Sequence, residues 1–164
     1  MSETLDGLRP WLGRTVTYTA PEPIGAAAFR YFAIAIGDDN PLYRDRDAAR
    51  AAGYRDVIAP PTLICETNQY LHGRPDSEGY LGHQWGFPVP QGSRQIRGGN
   101  SYELFQPVHP DDVITATWRV ADITEKPSSK GGTMVIILSE VAFTNQLGEA
   151  LATNTDTMIW MVPE

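Results

Sequence analysis

One cysteine, Cys65, stands in the 164 residues. No disulfide can close within the chain, which points to a reducing compartment and a cytoplasmic location. Basic residues are scarce too: 13 Lys and Arg against 20 Asp and Glu leave a net charge of −7. Nucleic acid needs a basic footprint and an anionic membrane surface attracts one, so neither is an expected partner. No apolar run is long enough to span a bilayer. The opening MSETLDGLRPWLG has neither a basic stretch nor an apolar core, so no secretory signal is expected. Repeats and low-complexity tracts are missing. There is no G-x-S-x-G elbow, and GGNS and KGG are too short to make a phosphate loop. What remains is one domain spanning residues 1–164, long enough to bury a core unaided.

The pattern of apolar residues divides the chain in two. TVTYT (15–19) alternates as a short strand, ended by Pro21 and Pro23. AAAFRYFAIAIG reads as a helix stopped at Gly37. DDNPLYRD is turn chemistry, because a residue before proline is biased away from helix. DAARAAG reads as a short helix with Asp47 near its start and Gly53 after its end. Pro60 or Pro61 suits the first turn of a helix over TLICETNQYL, the candidate for a buried central helix. Residues 72–94 combine Gly, Pro and Ser with Tyr80, Trp85 and Phe87, either a lid or partner-contact segment or a surface loop that closes the core edge. From residue 95 four strands follow: RQIRGGNSYELF, DVITATWRVADIT, TMVIILSEVAFTN and EALATNTDTMIWMV. The short connections predict an antiparallel meander, and the whole reads as α+β with the sheet wrapped on the central helix.

Few residues offer chemistry on their own. His72, His83 and His109 lack a His or Cys at metal-ligand spacing, so no metal is expected. His83, in the aromatic segment, is the one placed to approach a ligand. Cys65 beside Leu63 and Ile64 reads as a buried, inert thiol. Asp38, Asp39 and Asn40 either cap and turn the backbone or take part directly in binding. Asp45 reads as an exposed turn residue.

This order of elements resembles the hot-dog fold, a sheet wrapped around one long helix. Residues 32–62 resemble the MaoC-like hydratases of the hydratase 2 type. Their signature runs aromatic–Ala, Gly-Asp-x-Asn-Pro-x-His-x-Asp, then Ile/Val-Ala-His-Gly before the helix. Phe32, Ala33, Gly37, Asp38, Asn40, Pro41, Asp45, Ile58 and Ala59 match it. GYRDVIAPPT and NQLGE look most like the branch resembling the dehydratase domain of type I fatty-acid synthase. The resemblance implies reversible hydration of an enoyl thioester carried by coenzyme A or acyl carrier protein, with no other cofactor. It also implies a homodimer, or a heterodimer with a second MaoC-like subunit.

That chemistry needs a base, an acid and a donor to the thioester oxygen. The resemblance makes Asp38 the candidate base. Tyr43 takes the place of the family's histidine, and a phenol, with an ordinary pKa of about 10, exchanges protons poorly near neutrality. Pro60-Pro61 replaces His-Gly, and proline has no N–H to serve as the oxyanion donor. Losing one such donor costs roughly 2.7–4 kcal/mol of transition-state stabilisation. The Thr62 N–H is the candidate replacement. Asn40, Pro60, Pro61, Thr62 and His83 are the expected substrate-binding residues, and Arg94 and Arg97 are either contacts for coenzyme A phosphates or plain surface charge. Three readings follow: the substrate-shaping half of a two-protein hydratase, a self-sufficient homodimeric hydratase using Asp38, or an acyl-thioester-binding module without turnover. The fold also hosts thioesterases, so hydrolysis is a fourth.

Overall fold

A computed structural model describes residues 3–68, 83–129 and 131–163, with side chains outside 65–68. Its frame is a five-stranded antiparallel sheet. The strands are β1 (Thr15–Thr19), β2 (Arg94–Leu104), β3 (Thr115–Pro127), β4 (Thr133–Thr144) and β5 (Ala150–Val162), in the order β1-β3-β4-β5-β2. Among the described residues three α-helices accompany them: α1 (Glu3–Leu8), α2 (Ala26–Ile36) and α3 (Arg46–Ala51).

The strands fall where the sequence places them, β1 by alternation and the other four by β-branched and aromatic residues, but their pairing corrects the expected four-strand meander. Strands β3, β4 and β5 do run as consecutive hairpins. Strand β2 instead pairs with β5, at the opposite edge from β1. The connection from β2 to β3 carries Pro107 and Pro110 and cannot make a tight hairpin turn. It crosses the domain, tied by Phe105 N–H to the Leu151 carbonyl at 2.9 Å and by Ala59 N–H to the Val108 carbonyl at 2.9 Å.

The first part of the expected central helix is present, wound as a 3-10 helix. Pro61–Asn68 forms a 3-10 helix, opened by Leu63 N–H donating to the Pro60 carbonyl at 2.9 Å. Two consecutive prolines remove two donors from its start, and β-branched Thr62 and Ile64 favour an α-helix weakly. The rest of TLICETNQYL, with His72, Tyr80 and the Cys65 side chain, lies outside the described residues.

The inner face of the sheet carries two apolar clusters. In the first, Phe29 of α2 and Leu63 and Ile64 of the 3-10 helix pack with Ala116, Val141 and Phe143. In the second, Leu8 of α1 and Trp85 cover Val120, Val135 and Ile137. Burial of such side chains stabilises by about 1.5–3 kcal/mol each, enough to hold the short helices α1 and α3 that would not persist alone.

Candidate active site

The motif segment folds as a chain of nested turns. Gly37 ends α2 in the left-handed region at φ 70°, and its N–H bonds the Ala33 and Ile34 carbonyls. Only glycine enters that region without cost, which fixes why it follows Ile36. Asp38 Oδ1 then accepts from Asn40 N–H at 3.0 Å, and Asn40 Oδ1 accepts from Leu42 N–H at 3.1 Å. Pro41 opens a 3-10 turn, Pro41–Tyr43, in the position where its missing N–H costs nothing. Asp45 is exposed and caps α3 through Asp47 N–H at 2.9 Å and Ala48 N–H at 3.1 Å. The helix expected to start near Asp47 is thus capped two residues earlier.

Tyr43 is buried, with 7% of its surface exposed. Asp38 and Asn40 are half-buried, and Thr62 is exposed. The two motif segments are joined by Ile58 N–H donating to the Leu42 carbonyl at 3.0 Å. Beyond that junction lies a cavity of about 240 Å³. Ile58, Ala59, Pro60 and Pro61 form one wall, and Leu104 at the end of β2 and Phe105 just after it form part of the other. Pro60 is fully buried there, and Pro61 is the exposed first residue of the 3-10 helix. Asp38, Asn40, Tyr43, Thr62 and His83 do not line it. The strand-end residues Leu104 and Phe105, 50% and 46% exposed, escaped notice in the sequence because they read as ordinary strand positions. Two large apolar side chains at the end of an otherwise polar strand were the available signal.

His83 sits elsewhere, over the β1 and β3 end of the inner face. Its Nδ1 is 2.6 Å from the Tyr18 hydroxyl, and its ring meets Trp85 edge-on at 4.4 Å and Trp118 at 5.3 Å between centroids. Burial pushes its pKa down to about 4, so the ring is neutral at pH 7. Burial also raises the Tyr18 phenol. Asp156 is raised by burial, opposed by the Arg97 guanidinium. Arg97 thus faces an acidic side chain of the neighbouring strand. Among the described residues no group of three or more His, Cys, Asp or Glu forms a metal site, and no helix is long and apolar enough to cross a membrane.

A cavity walled by the Ile-Ala-Pro-Pro segment and a Gly-Asp-x-Asn-Pro turn behind it fit one sequence family. The pattern of the FAS1-like dehydratase domain region matches residues 11–154. The chain belongs to that family. A UPF0336 protein of Parafrankia sp. is 31% identical over 149 residues, 91% of each chain. A probable enoyl-CoA hydratase alpha subunit of Thermomonospora curvata is 25% identical over 153 residues, 89% of this chain and 48% of that protein. Among solved structures, a chain of the ChsH1–ChsH2 complex of Mycobacterium tuberculosis superposes with a TM-score of 0.76 at 21% identity, covering 99% of this chain and 98% of that one. A MaoC-like dehydratase from Rhodospirillum rubrum does so with a TM-score of 0.66 at 22% identity, covering 93% and 94%. The FAS1-like dehydratase region here therefore has the hot-dog fold, as the MaoC-like resemblance implied.

Proposed function

We propose that this chain is the substrate-shaping half of an enoyl-thioester hydratase, or 3-hydroxyacyl-thioester dehydratase, whose catalytic Asp and His come from a partner hot-dog subunit. One observation carries the reading. The cavity beside the motif is walled by Pro60, Pro61, Ile58 and Phe105, and neither Asp38 nor Tyr43 reaches its lining. An apolar cleft of this kind suits an acyl chain. Proton transfer needs a group within hydrogen-bond reach of the reacting atoms. Asp38 Oδ1 is engaged by the backbone of its own turn, and Tyr43 is buried in the protein. Pro61 brings no N–H to the entrance of the 3-10 helix.

The membership in a dehydratase family and the similarity to one subunit of an enoyl-CoA hydratase support the reaction class. The likeness to a chain of a two-component complex supports the division of labour. Coenzyme A or acyl carrier protein would carry the acyl group. Strand β2 lies at an edge of the sheet, where backbone hydrogen bonds can pair with the partner's sheet.

The test is a hydration assay with a short enoyl-CoA, using the purified chain alone and then with the hot-dog subunit that co-purifies from its native host. Turnover is expected only in the mixture. Robust turnover by the chain alone, abolished by Asp38→Asn, would replace this reading with the self-sufficient homodimer. In the mixture, Phe105→Trp is expected to raise KM for longer acyl chains while leaving kcat for the shortest one unchanged, because it fills the cavity without touching the reacting atoms.

A further inference from the structure

An antiparallel sheet with one face in water normally alternates apolar and polar residues along every strand. Strands β4 and β5 obey this rule over half their length and break it together over the other half. In β4 the inward positions Val135, Ile137, Val141 and Phe143 are buried. The outward positions begin as Met134, Ile136 and Leu138, all half-buried, and change to Glu140 and Ala142, both exposed. In β5 the outward positions run Thr153, Thr155 and Thr157, then Ile159 and Met161. The two apolar stretches are in register: Met134 faces Met161 and Ile136 faces Ile159. Strand β2 extends the second row with Ile96 beside Ile159, 39% exposed. None of these outward side chains belongs to either core cluster. Strands that are apolar on both faces are those whose two faces are both covered.

The rim of this patch identifies the cover. On β3, Lys126 stands beside Met134, Thr124 beside Ile136 and Asp122 beside Leu138. Neither Lys126 nor Asp122 has an ion-pair partner among the described residues, whereas Arg119 and Glu140, one step further along, pair with each other at 2.6 Å. Opposite charges therefore lie at equal distances either side of the Thr124–Ile136–Ile159 row. A two-fold axis along that row places Lys126 of one copy over Asp122 of the other, and Met134 over Leu138, while Ile136 and Ile159 each meet themselves. Sheets pack face to face about 10 Å apart, which apolar side chains of this size fill.

We propose that the outer face of β4 and β5 is an isologous interface with a second copy of this chain, centred on Ile136 and Ile159. This contact is separate from any pairing through the edge of β2. It would join two partner-bound pairs back to back into a larger assembly.

Sedimentation equilibrium of the full chain tests it. Ile136→Glu puts a carboxylate against its own image and is expected to weaken self-association at least about tenfold, the effect of losing a central contact. Lys126→Asp alone sets two acidic side chains face to face and weakens it less, and adding Asp122→Lys restores it. A short bis-maleimide linker is expected to join two copies of Ile136→Cys in a Cys65→Ser background. Wild-type association left unchanged by Ile136→Glu overturns the proposal, because edge pairing alone would give that result. Failure of the charge swap to restore Lys126→Asp overturns it too, as does capture of a different protein by the linker in native extract.

Discussion

The Tyr18 hydroxyl lies 2.6 Å from Nδ1 of His83, in a contact that ties the first strand to a residue 65 positions away. His83 Nε2 is buried and has no partner among the described residues. Protonating this ring would place a charge among Tyr18, Trp85 and Trp118, with no carboxylate facing it among the described residues. The folded pKa of about 4 lies below the ordinary value of 6.5. The unfolded chain therefore binds the proton first as pH falls. The stability His83 contributes is complete above pH 6.5 and is lost as pH falls toward 4. Urea midpoints measured across that window are expected to fall with pH, and His83→Asn is expected to flatten the profile. An equally steep profile in the variant would assign the acid sensitivity to other groups.

Trp85 donates its indole N–H to the Ser139 hydroxyl at 3.1 Å, both residues being buried. Ser139→Ala leaves the donor without a partner and is expected to cost about 1–3 kcal/mol. Trp85→Phe in that background removes the orphaned donor, so the double variant should be less destabilised than the two single changes summed. Chemical denaturation of all four proteins gives the coupling.

Asn40 holds the motif turn by accepting from Leu42 N–H. Its removal in Asn40→Ala is expected to cost about 1 kcal/mol, the scale of a lost cap. Asp38→Asn keeps an oxygen for Asn40 N–H and should leave the melting temperature nearly unchanged. Differential scanning calorimetry separates the two. A large loss from Asp38→Asn would mean that its charge, and not its geometry, holds the turn.

Asp156 lies on the inner face opposite Ser139 and Asn100. Burial raises its pKa, so its charged form is disfavoured in the folded protein. Such a group contributes stability below its unfolded pKa and loses it as pH rises through the folded value. Asp156→Asn is therefore expected to raise the urea midpoint at pH 7 and to have little effect near pH 3. A lower midpoint at pH 7 would show that the Arg97 attraction outweighs burial.

Local elements were legible because their causes are local. Gly37 ends α2, Pro41 and Asn40 build the turn, alternation marks β1, and β-branched and aromatic residues mark the four later strands. Helix α1 was missed: six residues with Gly7 among them carry too little periodicity to detect, and Leu8 is held by the distant second cluster. The partner of β2 was missed because pairing is decided by where a proline-containing connection can travel. Position Tyr43 could be read as a departure from the family pattern, but its burial depends on packing from segments far along the chain. The His83–Tyr18 and Trp85–Ser139 contacts join positions 65 and 54 residues apart and leave no mark in either neighbourhood.

Strand β2 runs for 11 residues at the border of the sheet, with only one of them even half-buried. Such a strand is a template for any extended chain that meets it. It holds no proline to block addition, and only Arg94, Arg97 and Glu103 carry charge. On the proposed pairing with a partner subunit, a cell that makes this chain faster than that subunit would accumulate molecules that recruit one another through the same strand. Matched synthesis of the two, as from one transcript, is the simplest protection, and heterologous production of the chain by itself should yield aggregates that co-production clears.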